Sequence, residues 1–109
     1  MRSKNDELGR WSDPSLLVLA SLAEGEKHGY AMVADIEAMA GVHLGPGTLY
    51  GALSRLESQG LIEPVEADGR RRPYRITGAG AELLRERLRT IAAVAETGLT
   101  RLRAAGASA

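Results

Sequence analysis

The sequence predicts a mostly α-helical fold carrying one small β-hairpin, and three observations predict it. Apolar residues recur at helical spacing over four separate stretches. Two short β-type runs, each holding a proline, flank an Asp68-Gly69 turn signal. Gly or Pro marks nearly every junction between these segments. The length of 109 residues is that of one domain. A composition of 44% hydrophobic and 26% charged residues is that of a soluble globular chain and sets aside disordered and membrane classes.

The elements follow in order. Residues 1–12 form a polar N-terminal arm with an isolated Trp11. Asp13-Pro14 reads as an N-cap followed by proline at the first helical position. From Pro14 to about Ala23 nearly every residue is apolar, so this helix must be buried on more than one side. One of those sides, with Leu16 and Leu17, suits a second subunit. Glu24-Gly25-Glu26-Lys27 is the break. A second helix is expected from about His28 to Ala40, its apolar stripe being Met32, Ile36, Met39 and Ala40.

Gly41 to Gly45 is a tight turn, and Pro46 opens a third helix that ends at Gly60. Leu49, Leu53 and Leu56 make its apolar stripe. Its other side holds Gly47, Thr48, Gly51, Ser54, Arg55 and Ser58, which suit close approach to another surface better than packing on a core. Leu61–Val65 and Arg72–Thr77 are the two strands, with Pro64 and Pro73 at ladder ends or edges. Thr77 caps a last helix from about Ala79 to Ala104. Within it Leu84, Leu88, Ile91, Ala95, Gly98 and Leu102 alternate in steps of four and three, a short heptad seam suited to docking on other helices.

Net charge is zero, yet its distribution is uneven. Residues 1–68 carry 5 basic and 11 acidic side chains, whereas 69–109 carry 9 and 3. The densest basic cluster, Arg70, Arg71, Arg72 and Arg75, sits at the hairpin. Helix, helix, tight turn, helix and a hairpin with a basic tip is the order of a winged helix-turn-helix. The expected fold class is therefore mostly α with a small β-hairpin: a winged helix-turn-helix followed by a C-terminal dimerisation helix. Its parts would be the arm (1–12), the DNA-binding domain (13–77), the dimerisation helix (78–104) and a frayed tail (105–109).

A small, polar helix face can enter a major groove about 12 Å wide. The helix start at Pro46-Gly47-Thr48 offers unpaired N–H groups to a phosphate. Arginines on the hairpin suit the backbone or a narrow minor groove. Double-stranded DNA is the ligand on which these features agree.

Four strings carry a resemblance. They are Leu19-Ala-Ser-Leu-Ala-Glu-Gly-Glu-Lys-His-Gly-Tyr30, Pro46-Gly-Thr-Leu-Tyr50, Leu53-Ser-Arg-Leu-Glu-Ser-Gln-Gly-Leu-Ile62 and Gly69-Arg-Arg-Arg-Pro-Tyr-Arg-Ile-Thr77. In order and spacing, from about residue 14 to 104, the chain resembles the PadR family of bacterial transcriptional regulators. The short length resembles the family's compact subfamily, with a single C-terminal helix. The resemblance implies a homodimeric repressor, built on its first and last helices and released from DNA by a small-molecule effector. Two departures stand out. Gly45 replaces the usual serine cap, a minor loss. The last helix has no aromatic residue, so the drug-binding tryptophan of some compact members has no counterpart there.

The candidate DNA-binding residues are Lys27, His28, Tyr30, Gly47, Thr48, Tyr50, Arg55, Arg70, Arg71 and Arg72, with Arg75 a weaker candidate. Each has a plainer alternative. Tyr30 and Tyr50 are either phosphate contacts or core, and Arg55 either meets DNA or pairs with Glu57 or Glu24. Leu16, Leu17, Leu84, Leu88, Ile91, Ala95 and Leu102 are the candidate dimer interface. Trp11 either packs the arm onto the last helix or stacks on an effector. Dimerisation implies a pseudo-palindromic operator.

No cofactor is implied. His28 and His43 lack the further ligands that zinc needs, and the absence of cysteine removes thiolate sites and disulfides. Gly45, Gly47 and Gly51 have neither the lysine nor the strand of a phosphate-binding loop, and no nucleophile triad is visible, so no enzyme is expected. With no secretory signal and no run long enough to span a bilayer, the expected location is the cytoplasm, with no membrane partner. The competing reading is a winged-helix protein-interaction module that does not bind DNA, which the acidic first two-thirds favours.

Overall fold

The computed structural model describes residues 13–66 and 72–106. Trp11, Arg70 and Arg71 lie outside them, as does most of the expected hairpin tip. Four helices and a two-stranded antiparallel sheet follow in the expected order: α1 (Pro14–Leu22), α2 (Gly29–Ala40), α3 (Pro46–Ser58), β1 (Ile62–Pro64), β2 (Tyr74–Ile76) and α4 (Gly78–Ala104). The architecture is a winged helix-turn-helix with a long C-terminal helix.

The core forms around α1. Asp13 accepts a hydrogen bond from the Ser15 N–H at 2.9 Å and Pro14 holds the first helical position, so the helix starts where the sequence places it. Leu17, Val18, Leu19, Ser21 and Leu22 are all buried, because α2, α3, α4 and β2 pack around this one short helix. Each such aliphatic side chain contributes about 1.5–3 kcal/mol on leaving water. Leu49, Ala52, Leu53 and Leu56 of α3 complete the layer, with Met32 and Ile36 from α2.

Two expectations need correction here. Met39 is 49% exposed and Ala40 is exposed, so the inward stripe of α2 stops at Ile36; Leu44, from the turn after α2, fills the core instead. Leu17 and Leu84, expected at a subunit interface, are 9% and 5% exposed because they close the protomer's own core. They have almost no surface left to offer a partner.

Ile62 stands opposite Ile76, Glu63 opposite Arg75 and Pro64 opposite Tyr74. A further pair of main-chain bonds ties Lys27 to Tyr74, so the segment before α2 adds a one-residue bridge to the far edge of β2. Thr77 caps α4 by accepting from the Gly80 N–H, and its hydroxyl donates to the Gly60 carbonyl at 2.7 Å. Gly80 lies so close to the chain at Leu61 that a Cβ there would overlap the Leu61 carbonyl and press on Ile76. That approach seats the first turn of α4 on the body. Beyond Leu84 the helix is exposed throughout, and its 27 residues extend about 40 Å. The described chain is correspondingly elongated, 57 × 35 × 20 Å.

Candidate nucleic-acid interface

Side chains cap α1 and α4, through Asp13 and Thr77, but not α2 and α3. The α2 cap position is His28, which makes no side-chain cap bond, and that of α3 is Gly45, which has no side chain to make one. Both helices of the helix-turn-helix therefore begin without a side-chain cap, at the positive end of the helix dipole. Pro46, Gly47 and Thr48 are exposed at the start of α3.

Tyr50 links the two helix starts. It is 61% exposed, and its hydroxyl lies 3.6 Å from where a Cβ on Gly29 would stand. Its ring thus lies over the first residue of α2, on the solvent side of the core. Tyr30 is 67% exposed, with its ring stacked on His28 at 6.3 Å between centroids and 18° between planes. The Nδ1 atom of His28 is buried and meets no hydrogen-bond partner among the described residues. The core alternatives for Tyr30 and Tyr50 are set aside by this exposure.

Lys27 behaves differently from the expectation of a DNA contact. Its side chain is 14% exposed, and its ammonium donates to the Ser21 carbonyl, pairs with Glu24 at 2.9 Å and lies 3.8 Å from Asp35. Asp35 also accepts from the Ser21 hydroxyl at 2.7 Å. The charge is consumed inside the protomer, fastening α2 to the end of α1. Arg75 is likewise held, by Glu63 directly across the hairpin at 2.7 Å.

Arg55 and Arg72 are exposed and, among the described residues, form no salt bridge. The pairing of Arg55 with Glu57 or Glu24 is thus absent. Arg55 stands about 140° around α3 from Tyr50 at 3.6 residues per turn, so the two flank the small-residue face from opposite sides. Its Nη1 lies 3.5 Å from where a Cβ on Gly51 would stand, which sweeps the guanidinium back along the helix over that face.

Tyr74, absent from the sequence-derived candidates, joins this surface from the hairpin. Partial burial, the Glu57 carboxylate and the neighbouring Tyr50 raise its pKa above the usual 10.0, against a lowering by Arg72. The phenol therefore lies within electrostatic reach of Glu57 and Tyr50 on α3. No motif signals it in the sequence, because its position depends on how the hairpin folds back onto α3.

On α4, Leu88, Ile91 and Leu102 are 43%, 46% and 48% exposed, Ala95 lies between them, and Val94 and Leu99 widen the band. The seam that the sequence places on this helix is an uncovered apolar stripe from Leu88 onward. Among the described residues no helix is long and apolar enough to cross a membrane, and no three His, Asp or Glu are grouped to hold a metal ion.

Comparison with known proteins agrees with this geometry. The transcriptional regulator PadR-like family matches residues 18–86. An uncharacterised 37.1 kDa protein in a transposon of Streptomyces fradiae is 51% identical over 83 residues; the match covers 76% of this chain but only 24% of that protein. A transcriptional regulator of Mycobacterium tuberculosis is 40% identical over 79 residues, covering 70% of this chain and 73% of the relative. Among solved structures, a PadR family transcriptional regulator from Eggerthella lenta superposes with a TM-score of 0.69 at 36% identity, covering 88% of this chain and 85% of that one. The family is one of transcriptional regulators rather than enzymes. On the matched residues, the relatives and the fold, this chain belongs to the PadR-like family of transcriptional regulators.

Proposed function

We propose that the chain is a homodimeric repressor that binds a pseudo-palindromic duplex operator and leaves it when a small-molecule effector binds. In this reading α3 enters the major groove, with Gly47 and Thr48 at its start and Arg55 on its flank. Tyr30, Tyr50 and the open N-terminus of α2 at His28 meet the backbone. Arg70, Arg71 and Arg72 run along the phosphates or into the adjacent minor groove. The second subunit docks on the α4 stripe of Leu88, Ile91, Ala95 and Leu102, with Leu16 alongside.

The observation that carries this reading is the contrast between capped and uncapped helices. The two helices that a helix-turn-helix presents to DNA are the two whose first N–H groups are left without a side-chain cap. Tyr50 spans them with an exposed ring. The division into arm, DNA-binding domain, dimerisation helix and tail is part of the same proposal.

The test is a binding series with a fluorescent duplex taken from upstream of the chain's own gene, a random duplex as control, and salt as the variable. The expected result is roughly a thousandfold preference for the upstream duplex. Its log–log salt slope should be about −0.9 per phosphate contacted. Arg71→Ala with Arg72→Ala should weaken binding and flatten that slope; an unchanged slope would remove the wing from the mechanism. The competing protein-interaction reading has one specific support, the eight acidic against two basic residues over 13–66, of which Lys27 is turned inward. Absence of binding to either duplex at low salt would favour it.

A further inference from the structure

An α-helix with its side chains is about 10–12 Å across and the major groove is about 12 Å wide. A helix seated there comes up against the phosphates of both strands. On one flank of α3 stands Tyr50, over the first residue of α2, with the hairpin's Tyr74 within electrostatic reach. On the other flank stands Arg55. There α3 borders a hollow between α1 and the first turns of α4, lined by two exposed arginines, Arg55 and Arg87. Among the described residues neither forms a salt bridge. Asp13 is the one carboxylate in that lining, and it is engaged in capping α1.

The three arginines in this stretch of α4 are not equivalent. Arg85 and Arg89 each follow a glutamate, Glu82 and Glu86, by three residues, a spacing at which opposite charges on a helix meet. Arg87 has Leu83, Leu84, Thr90 and Ile91 at the corresponding positions, so its own helix sets no charge against it. At 3.6 residues per turn Arg85 and Arg89 stand about 160° around α4 from Arg87. Only Arg87 of the three lines the hollow beside Arg55. Leu83 and Ile91, one turn to either side, give its stem an apolar bed and leave the guanidinium to solvent.

We propose that Arg87 is a DNA-contacting residue supplied by the last helix: beside Arg55, it meets the phosphates across the major groove from Tyr50. The inference rests on the DNA-binding reading above and extends it to the second wall of the groove. A guanidinium suits the task, since its fixed charge and planar fork match phosphate oxygens. The acidic surplus over 13–66 gives it weight, because on this side of α3 the body supplies no cation but Arg55 and Lys27, and Lys27 is turned inward.

The experiment is a salt series of binding to the upstream and random duplexes, for the wild-type chain, Arg87→Gln, Arg87→Lys, and Arg85→Gln combined with Arg89→Gln. Arg87→Gln should weaken both duplexes alike, by about tenfold, and flatten the log–log slope by about 0.9 for each protomer bound. Arg87→Lys keeps the charge and should keep the slope. The double variant should keep it too, although it removes twice the charge from the same helix. An unchanged slope in Arg87→Gln would overturn the contact. Equal flattening in the double variant would also do so, since the general field of α4 would then be the cause. Sedimentation equilibrium of Arg87→Gln should give the wild-type mass; a lower mass would assign Arg87 to the subunit contact instead. Ethylation of single phosphates on the upstream duplex locates the contact. The phosphates that cease to matter in Arg87→Gln should lie across the groove from those that cease to matter in Tyr50→Phe, and coincidence of the two sets would overturn the placement. A wild-type chain that binds neither duplex at low salt removes the regulator reading and this contact together. Duplex binding that Arg87→Gln leaves untouched removes this contact alone.

Discussion

Lys27 and Tyr74 exchange two main-chain hydrogen bonds, Lys27 N–H to the Tyr74 carbonyl at 3.1 Å and Tyr74 N–H to the Lys27 carbonyl at 2.9 Å. The start of the helix-turn-helix and the inner edge of the wing are thereby one rigid unit. The Lys27 side chain fastens the same point to α1 and α2 through Ser21, Glu24 and Asp35. A residue whose sequence context suggested DNA contact instead ties the hairpin to the first two helices.

Lys27→Met should lower stability by about 1–3 kcal/mol, because it strips partners from a part-buried carbonyl and from Asp35. That corresponds to roughly 4–8 °C in melting temperature per kcal/mol. The salt slope of duplex binding should stay at the wild-type value, since this charge does not face solvent. A slope reduced by about one phosphate equivalent would restore Lys27 to the interface.

Gly80→Ala should cost on the order of 3 kcal/mol, since the added methyl overlaps a backbone carbonyl rather than a yielding side chain. Gly78→Ala, two residues earlier, adds a Cβ with nothing within 4 Å and should be close to neutral. Thermal melts of the two variants side by side measure the closeness of α4 to Leu61.

Leu88→Glu combined with Leu102→Glu should give a folded monomer. Both side chains are about half exposed on the protomer, so the core is spared while the α4 stripe gains two charges. Sedimentation equilibrium should show the loss of the dimer. Operator affinity should fall by about a hundredfold or more as the two half-sites cease to be bound together. An unchanged molecular mass would place the dimer contact elsewhere.

Tyr74 gives a pH signature. Its raised pKa means that the folded state favours the neutral phenol over the unfolded chain. The contribution is fully present below the unfolded value near 10.0 and is lost as pH rises through the folded value. Stability should therefore decline above pH 10, and Tyr74→Phe should remove that part of the decline. Glu57→Gln should move the Tyr74 titration downward, which absorbance of the phenolate measures.

Much of this molecule is legible in its sequence, for local reasons. Asp13-Pro14, Pro46 and Thr77 mark helix starts by hydrogen bonds and a fixed φ that involve only neighbouring residues. Leu49, Leu53 and Leu56 betray the buried face of α3 by spacing alone. The family strings place the wing, and the heptad spacing from Leu84 to Leu102 places the long last helix. The α2 stripe was less legible: Met39 repeats the helical period, but no period tells how far the neighbouring layer extends.

The sequence by itself determined the order of elements, the small-residue face of α3, the basic hairpin and the family, because each is set by residue type and spacing along the chain. Tertiary structure alone decided which charges are free. Lys27 and Arg75 are neutralised by Asp35, Glu24 and Glu63, while Arg55 is left open beside Gly51. It also decided that Leu17 and Leu84 close the protomer while Leu88 and Leu102 stay bare. The physical reason is that burial and ion pairing depend on side chains brought together from distant positions, and only the packing of α1 among α2, α3, α4 and β2 brings them together.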